Sequence, residues 1–323
     1  MSYMPRWRPL ISAIAAALMA AGLGACGGGG GGAAVAAPPL AVLPVPGTGP
    51  SPDASAPAQT NNIAVDGRNW INYRRAQAGM PVVLENAQIN NAALGHSEYQ
   101  RTNNLMSHEQ VAGKPGFTGT TLRDRLNAAG YTIPANGFAF GEVISGTSNG
   151  NGFFMAEELI TAIYHRFVIF EPKFREIGTG AATSANRYNY FTANFATRGD
   201  FGPGIGANAF VTWPFSGQTG VTPNFMSDSE EPDPVANINE VGYPISVHAN
   251  IDATVSMQAF TVRPRGGANL QVQVVNPLGD ASKRTAVAIV PLAPLRSGTT
   301  YEASFSGTVD GTPVTRDWSF TTR

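Results

Sequence analysis

Three of the chain's four histidines and one glutamate lie in short apolar or glycine-flanked segments, the surroundings that a small polar site needs. These residues are His96, His108, Glu142 and His165. Neutral imidazoles with one carboxylate are a familiar ligand set for Zn²⁺ and leave one coordination position open. Bound zinc would lower the pKa of its water toward about 7 and support hydrolysis. Without a metal, Glu142 paired with His108 or His165 could act as acid or base, or only hold the site together through hydrogen bonds.

The local signatures that would make hydrolysis the first choice are weak. The sequence has no His-Glu-x-x-His segment, and Ser107 beside His108 has no Gly-x-Ser-x-Gly context. We therefore favour a ligand or metal site without catalysis, followed by a structural network, with hydrolysis third. On this interpretation the protein is a binding protein rather than an enzyme, and a hydrolase if it is an enzyme at all.

Helices are expected to position these residues. Ile89, Ala92 and His96 follow the i, i+3, i+7 spacing of one helix face, so a helix over 85–103 points His96 inward. A helix from 153 to about 170 places Glu158 two turns before His165, a rise of about 10 Å, on roughly the same face. His96 and Glu158 are thus expected to flank the site. Further helices are predicted over about 63–79 and 121–129.

The pattern changes to a period of two after Pro172, with strands predicted over 174–180 and 188–196. Beyond a Gly/Pro-rich linker at 199–206, turn signals separate seven short β-rich runs, at 209–215, 245–249, 259–262, 270–275, 286–290, 300–307 and 314–321. Such runs favour an antiparallel sandwich of immunoglobulin-like type. The predicted class is α+β, with a first unit of helices and a late β-hairpin, followed by an all-β unit.

A series of motifs between about 66 and 197 resembles the CAP superfamily, also called SCP or PR-1-like, in its short bacterial form. The matching motifs, in order, are Asn72-Tyr73-Arg74-Arg75, His96-Ser97, Ser107-His108, Gly141-Glu142, His165-Arg166, Ile177-Gly178-Thr179-Gly180 and Tyr190-Phe191-Thr192. The resemblance implies an α-β-α sandwich. The C-terminal part, ending in Trp318-Ser319-Phe320-Thr321-Thr322, resembles bacterial Ig-like domains of exported proteins.

The same resemblance implies roles for the candidate residues. CAP proteins carry a cleft with two histidines and two acids, where some members bind a divalent metal such as zinc. His108 matches the first histidine, Glu142 one acid and His165 the second histidine, which makes these three the candidate metal ligands and the candidate catalytic residues. The position of the other acid falls on Ala162, and Val143 stands where asparagine is usual.

Composition limits the partners. Charged residues make up 13% of the chain and the net charge is -1, without a Lys/Arg run, so nucleic-acid binding, which needs a concentrated basic surface, is not expected. Asp228, Glu230, Glu231 and Asp233 form an acidic segment that lacks the spacing of a calcium loop and is predicted to be solvated. His248 is predicted to lie on the surface.

Cys26, the only cysteine, closes an apolar run preceded by Arg6 and Arg8. The run is too short to span a membrane comfortably, which takes about 20 residues, and is typical of a signal peptide. Leu23 to Cys26 resembles the lipobox of bacterial lipoproteins, so residue 26 is predicted to carry lipid and to anchor the chain in a membrane. Gly27 after the cysteine resembles the outer-membrane sorting pattern of Gram-negative lipoproteins.

The sequence therefore predicts four segments: a lipoprotein signal peptide (1–26), a Gly/Ala/Pro-rich tether (27–62), a CAP domain (63–203) and an Ig-like domain (204–323). The leading function is an exported, lipid-anchored envelope protein whose CAP cleft binds a lipid, peptide or glycan ligand, with or without a divalent metal. One alternative is a metal-assisted, protease-like hydrolase of the envelope. Another is a structural or adhesive display protein that uses the Ig-like domain.

Overall fold

The computed structural model describes residues 56–278 and 284–323. The predicted signal peptide, Cys26 and most of the tether lie outside the described residues. No helix within the described ranges is long and apolar enough to cross a membrane.

The first domain is an α-β-α sandwich around a four-stranded sheet. Its helices are α1 (Ile63–Gln77), α2 (Ala87–Asn103), α3 (Leu122–Ala128), α4 (Gly152–Thr161) and α5 (Ile163–Ile169). Its strands are β1 (Leu84–Glu85), β2 (Phe138–Thr147), β3 (Glu176–Thr183) and β4 (Asn189–Arg198). The strand order is β1-β3-β4-β2, with β1 and β3 parallel and the other pairs antiparallel. Strand β2 is therefore at one edge of the sheet.

Side chains that alternate along the central strand β4 divide the helices into two layers. Phe191, Ala193 and Phe195 belong to a core that also contains buried residues of α1, α4 and α5. Ala196 belongs to a second core with residues of α2 and α3. Helix α2 can lie close to the sheet because Gly178 has no side chain. A Cβ at this position would come within 2.2 Å of the α2 backbone.

The second domain consists of antiparallel strands in two sheets and a hairpin. A four-stranded sheet of order β10-β11-β8-β5 and a three-stranded sheet of order β13-β12-β9 contain the seven predicted strands. Their bounds are β5 Val211–Trp213, β8 Ile245–His248, β9 Val255–Pro264, β10 Val272–Val275, β11 Ala286–Pro291, β12 Thr300–Val309 and β13 Thr312–Thr321. The sequence did not predict the hairpin of β6 (Asn224–Met226) and β7 (Glu240–Gly242), which brackets the acidic segment. The predicted α+β class is confirmed, and the Ig-like topology stays a prediction.

The helix predicted over 153–170 is two helices, because the chain turns to an extended conformation at Ala162 (ψ 120°). Buried Arg166 stabilises this break by donating from Nε to Ile160 O (2.6 Å) and from Nη2 to Thr161 O (3.2 Å). Its Nη1 donates to Pro244 O (2.7 Å) in the second domain. Glu158 and His165 therefore lie on different helices, and the prediction that they share one face is wrong.

The two domains share one continuous hydrophobic core, which runs from α1 to β13. His248 is buried in this junction, with its ring 5.7 Å from that of Phe167 and 5.5 Å from that of Phe170. Its predicted surface position is wrong, because the β8 strand is covered by α5. The alternating pattern that indicated a strand did not show that both of its faces are buried.

Glu171, just beyond α5, joins the domains through a buried carboxyl group. Its Oε1 accepts from Lys173 N (2.9 Å) and from Ile251 N (2.9 Å) of the second domain. Burial raises the pKa of Glu171 to about 8, although these two donors and the Arg75 guanidinium act in the opposite direction. The folded protein therefore holds this proton more tightly than the unfolded chain does.

We expect Glu171→Gln to remove a pH dependence of stability. With a pKa raised from 4.5 to about 8, Glu171 contributes stability that is fully present below pH 4.5 and is lost as the pH rises toward 8, at up to about 1.4 kcal/mol per pH unit. Glutamine keeps the acceptor for both N–H groups but does not titrate. Urea unfolding at pH 5, 6, 7 and 8 should show the variant gaining stability relative to wild type as the pH rises, whereas a constant difference across this range would contradict the assignment.

Candidate functional site

Glu142 occupies the middle of the edge strand β2, on the sheet face covered by α2 and α3. Its register partner across the antiparallel pair is Asn194, and Ala196 two residues further along β4 belongs to the core under α2 and α3. Directly opposite residues of an antiparallel pair point to the same face. The Glu142 side chain is therefore placed in a buried layer, where a carboxylate needs a counter-charge.

Arg125 supplies that counter-charge from the last turn of the short helix α3. A capping box between Thr121 and Asp124 fixes the start of this helix. The Nη2 atom of Arg125 donates to Glu142 Oε1 (2.8 Å) and Oε2 (2.7 Å). Its Nη1 donates to the backbone oxygens of His108 (2.9 Å) and Thr120 (3.3 Å). One guanidinium thus holds both the carboxylate and the loop that carries the histidine.

This pairing sets the ionisation of Glu142. Burial alone would raise the pKa of the carboxyl, but the Arg125 guanidinium, followed by His96 and His108, outweighs it and holds the pKa well below its usual range. Glu142 is therefore an anion at neutral pH. Such a group accepts hydrogen bonds and is a poor general base.

His108 is the member of this cluster that reaches the surface. Its Nδ1 is 3.0 Å from Glu142 Oε1, and its side chain is 22% exposed. A carboxylate can only accept, so Nδ1 carries a proton, and in the neutral form of the ring Nε2 presents its lone pair. No described residue hydrogen-bonds to Nε2. The cluster therefore offers one fixed acceptor atom at its outer side.

His96 lies behind His108 and has both ring nitrogens occupied. Its Nε2 is 2.8 Å from Ser107 O, to which it donates, and its Nδ1 accepts from Gln110 Nε2 (3.1 Å). Burial lowers the pKa of His96 to about 4, so the ring is neutral. Its closest ring nitrogen is 3.8 Å from Glu142 Oε1. His96 flanks the site as a packed, hydrogen-bonded residue that supports the loop.

His165 is not part of this cluster. Its Nδ1 lies 2.8 Å from Oε1 of Glu230, which belongs to the second domain. Helix α5 packs on the other face of the sheet from Glu142, since a Cβ added at Gly141 would come within 2.6 Å of Val168. Gly141 and Glu142 are adjacent in β2 and therefore face opposite sides.

The predicted metal site is not assembled by this fold. Within the described ranges, no group of three or more His, Cys, Asp or Glu residues is placed to hold a metal ion. Of the three expected ligands, Glu142 has both oxygens bound to Arg125, and His165 is paired with a different carboxylate. The residues present therefore do not fit a zinc centre of His108, Glu142 and His165.

Two acidic residues also differ from expectation. Glu158 on α4 is exposed, and no hydrogen bond of its side chain links it to the cluster among the described residues. Glu230, expected in a solvated loop, is 3% exposed because the β6–β7 hairpin inserts it at the start of α5. The acidic segment is solvated only in part.

Arg125 and Gln110 are site residues that the sequence did not reveal. The sequence predicted a helix over 121–129, which carries Arg125, but nothing in the spacing pairs Arg125 with a glutamate 17 residues later. Arg125 lies in the last turn of α3, where the helix dipole favours a cation, so its position gave no signal of an unusual role.

The loop that carries His108 also exposes apolar side chains. Met106, Val111 and Phe117 are exposed, and all three belong to the segment between α2 and α3. Helix α2 supports this loop through hydrogen bonds such as the one that Val111 N donates to Tyr99 Oη (2.9 Å). Polar and apolar surfaces thus occur together on one supported loop.

Comparison with known proteins places the first domain in a family. Residues 69–195 match the model of the CAP family, the cysteine-rich secretory protein family, so the chain contains a CAP domain. A search of the curated proteins found no match.

Two solved structures are similar over part of the chain. An extracellular protein containing an SCP domain from Bacillus anthracis str. Ames is 23% identical, with a TM-score of 0.35 over 44% of each chain. An outer surface protein from Borrelia burgdorferi is 13% identical, with a TM-score of 0.34 over 41% of this chain and 89% of that chain. The chain thus spans less than half the length of the Bacillus protein.

Proposed function

We propose that this protein, whose residues 69–195 form a CAP domain, is an exported envelope protein that binds a ligand at His108 without a metal. One observation carries the proposal. Glu142, an anion whose charge is balanced by Arg125, accepts a hydrogen bond from His108 Nδ1 and leaves Nε2 facing outward. A site for acid-base chemistry needs a group that exchanges protons near neutral pH. Glu142 does not meet that need, and no described hydroxyl or thiol hydrogen-bonds to His108 Nε2 as a nucleophile would. A fixed ring nitrogen without such a partner meets the need of recognition.

The chemistry of the surface indicates the class of ligand. In the neutral form of the His108 ring, Nε2 is an acceptor and selects a ligand with a hydroxyl or amine donor. The exposed Met106, Val111 and Phe117 on the same loop favour an apolar part. Together they favour an amphipathic molecule, such as a lipid with hydroxyl groups, over a fully polar glycan.

The alternatives fit less well. The metal-assisted hydrolase needs His108, Glu142 and His165 in one site, and His165 is paired elsewhere. In the display alternative the Ig-like domain contacts the partner and the CAP domain is only a scaffold, which leaves the contacts of Glu142 with His108 and Arg125 without a role in recognition.

Binding can be tested with a fluorescent monoacylglycerol, which carries two hydroxyls and one acyl chain. In fluorescence titrations, we expect His108→Ala to weaken binding about twofold to twelvefold, the usual range for one lost hydrogen bond of about 0.5–1.5 kcal/mol. Glu109→Gln changes an exposed neighbour and is the matched control, expected to bind as wild type does. Equal affinity of His108→Ala and wild type would contradict the proposal, and release of the fatty acid would favour the hydrolase.

The membrane anchor is proposed from the sequence alone. The apolar run that ends at Cys26 favours lipidation, and Gly27 favours delivery to the outer membrane of a Gram-negative bacterium. We expect the Cys26→Ser variant to leave the membrane fraction, because the two or more acyl chains that hold the protein there are lost. Cell fractionation with immunoblotting measures this, and retention equal to wild type would refute the anchor.

A further inference from the structure

Glu230 reaches across the domain junction to the first turn of α5. Its Oε1 accepts from Tyr164 N (2.8 Å) and His165 N (3.1 Å), and it lies 2.8 Å from His165 Nδ1. The Glu230 side chain is 1% exposed, and its Oε2 is buried without a hydrogen-bond partner among the described residues. The second domain thus contributes a buried carboxylate to a histidine of the CAP domain.

The carboxylate replaces a cap that α5 lacks. The N-cap residue is Ala162, which has no side-chain acceptor. The second and third residues of the helix, Tyr164 and His165, are those whose N–H groups a capping side chain normally receives. Glu230 accepts from both, so the start of α5 depends on the second domain.

The same oxygen also orients the His165 ring. A carboxylate only accepts, so the proton of the neutral ring lies on Nδ1 and the lone pair of Nε2 faces away from Glu230. His165 is 19% exposed. His108 has the same arrangement, with Nδ1 on a buried carboxylate and an exposed fraction of 22%. The two exposed imidazoles are therefore held in the same way, one from within the CAP domain and one from outside it.

We propose that Glu230 is the positioning residue of His165, supplied by the second domain, so that the CAP domain presents this imidazole only while the domains are docked. The second domain is then a component of the CAP surface rather than an appended module. The inference goes beyond ligand binding at His108 and does not depend on it.

A purely structural role for Glu230 is the competing explanation. If Glu230 served only as a helix cap, any cap at position 162 would replace it. If it positions His165, a cap at 162 restores the helix but leaves Nδ1 without its acceptor. Serine is the appropriate cap because its hydroxyl oxygen can accept from the first turn of the helix and, unlike the Glu230 side chain, it carries no charge.

The experiment uses the full chain, labelled with ¹⁵N-histidine, and compares Glu230→Ala with the double variant Ala162→Ser/Glu230→Ala. Long-range ¹H–¹⁵N spectra give the tautomer of each ring, and the His165→Gln variant assigns its signals. Glu231→Ala removes the same charge from an exposed neighbour and is the matched control. Thermal unfolding is measured on every variant.

We expect Glu230→Ala to lower the Tm by on the order of 5–10 °C, since three hydrogen bonds to a charged acceptor are lost. The added serine should recover part of this loss. In both variants His165 should leave the Nδ1–H form for the tautomer mixture of an unconstrained imidazole, while Glu231→Ala keeps the wild-type signals.

A wild-type His165 tautomer in the double variant would overturn the proposal and leave Glu230 as a cap. If Glu230→Ala does not fold, Glu230→Gln keeps the shape and an acceptor but removes the charge. A reduced Nδ1–H population at His165 in that variant supports the proposal, and an unchanged one overturns it. No ligand enters these measurements, so their failure is distinguishable from failure of binding at His108.

Discussion

The buried pair of Glu142 and Arg125 is the interaction on which the candidate site depends. A carboxylate in the layer under α2 and α3 would cost several kcal/mol without a partner, and Arg125 meets it with both oxygens engaged at 2.7–2.8 Å. The pair fixes more than charge. Because Arg125 also holds the backbone oxygen of His108, and Glu142 holds its ring, the loop, the tautomer and the direction of Nε2 follow from one ion pair.

A related rule, that buried polar groups need hydrogen-bond partners, explains how the domains are joined. Helix α5 is held at its start by Glu230, in its middle by Arg166 and beyond its end by Glu171, and each of these contacts crosses the junction. Arg166 also satisfies carbonyls of α4 that the break at Ala162 leaves free. The break at Ala162 and the docking of the two domains therefore depend on each other, because Arg166 stabilises the break and also bonds to the second domain.

Periodicity predicted most of the elements, and the order of motifs predicted the CAP fold. The α-β-α layers follow from amphipathic helices around a sheet, and the seven strands of the second domain follow from their alternating residues. The break at Ala162 was not visible, because the apolar pattern continues across it and its cause, Arg166, acts through tertiary contacts. The burial of His248 and Glu230 was missed for the same reason: both are covered by a domain distant in sequence. His165 was grouped with Glu142 by resemblance, whereas alternation along β2 separates the two faces.

The central claim is that an anionic Glu142 fixes His108 with its proton on Nδ1 and its lone pair on Nε2. The direct measurement is the ring tautomer of His108 in the wild-type protein at pH 7.5, read from its two ¹⁵N chemical shifts and assigned with His108→Gln. The account predicts a single Nδ1–H tautomer with an unprotonated Nε2. A predominant Nε2–H tautomer, or rapid exchange between the two, would contradict it.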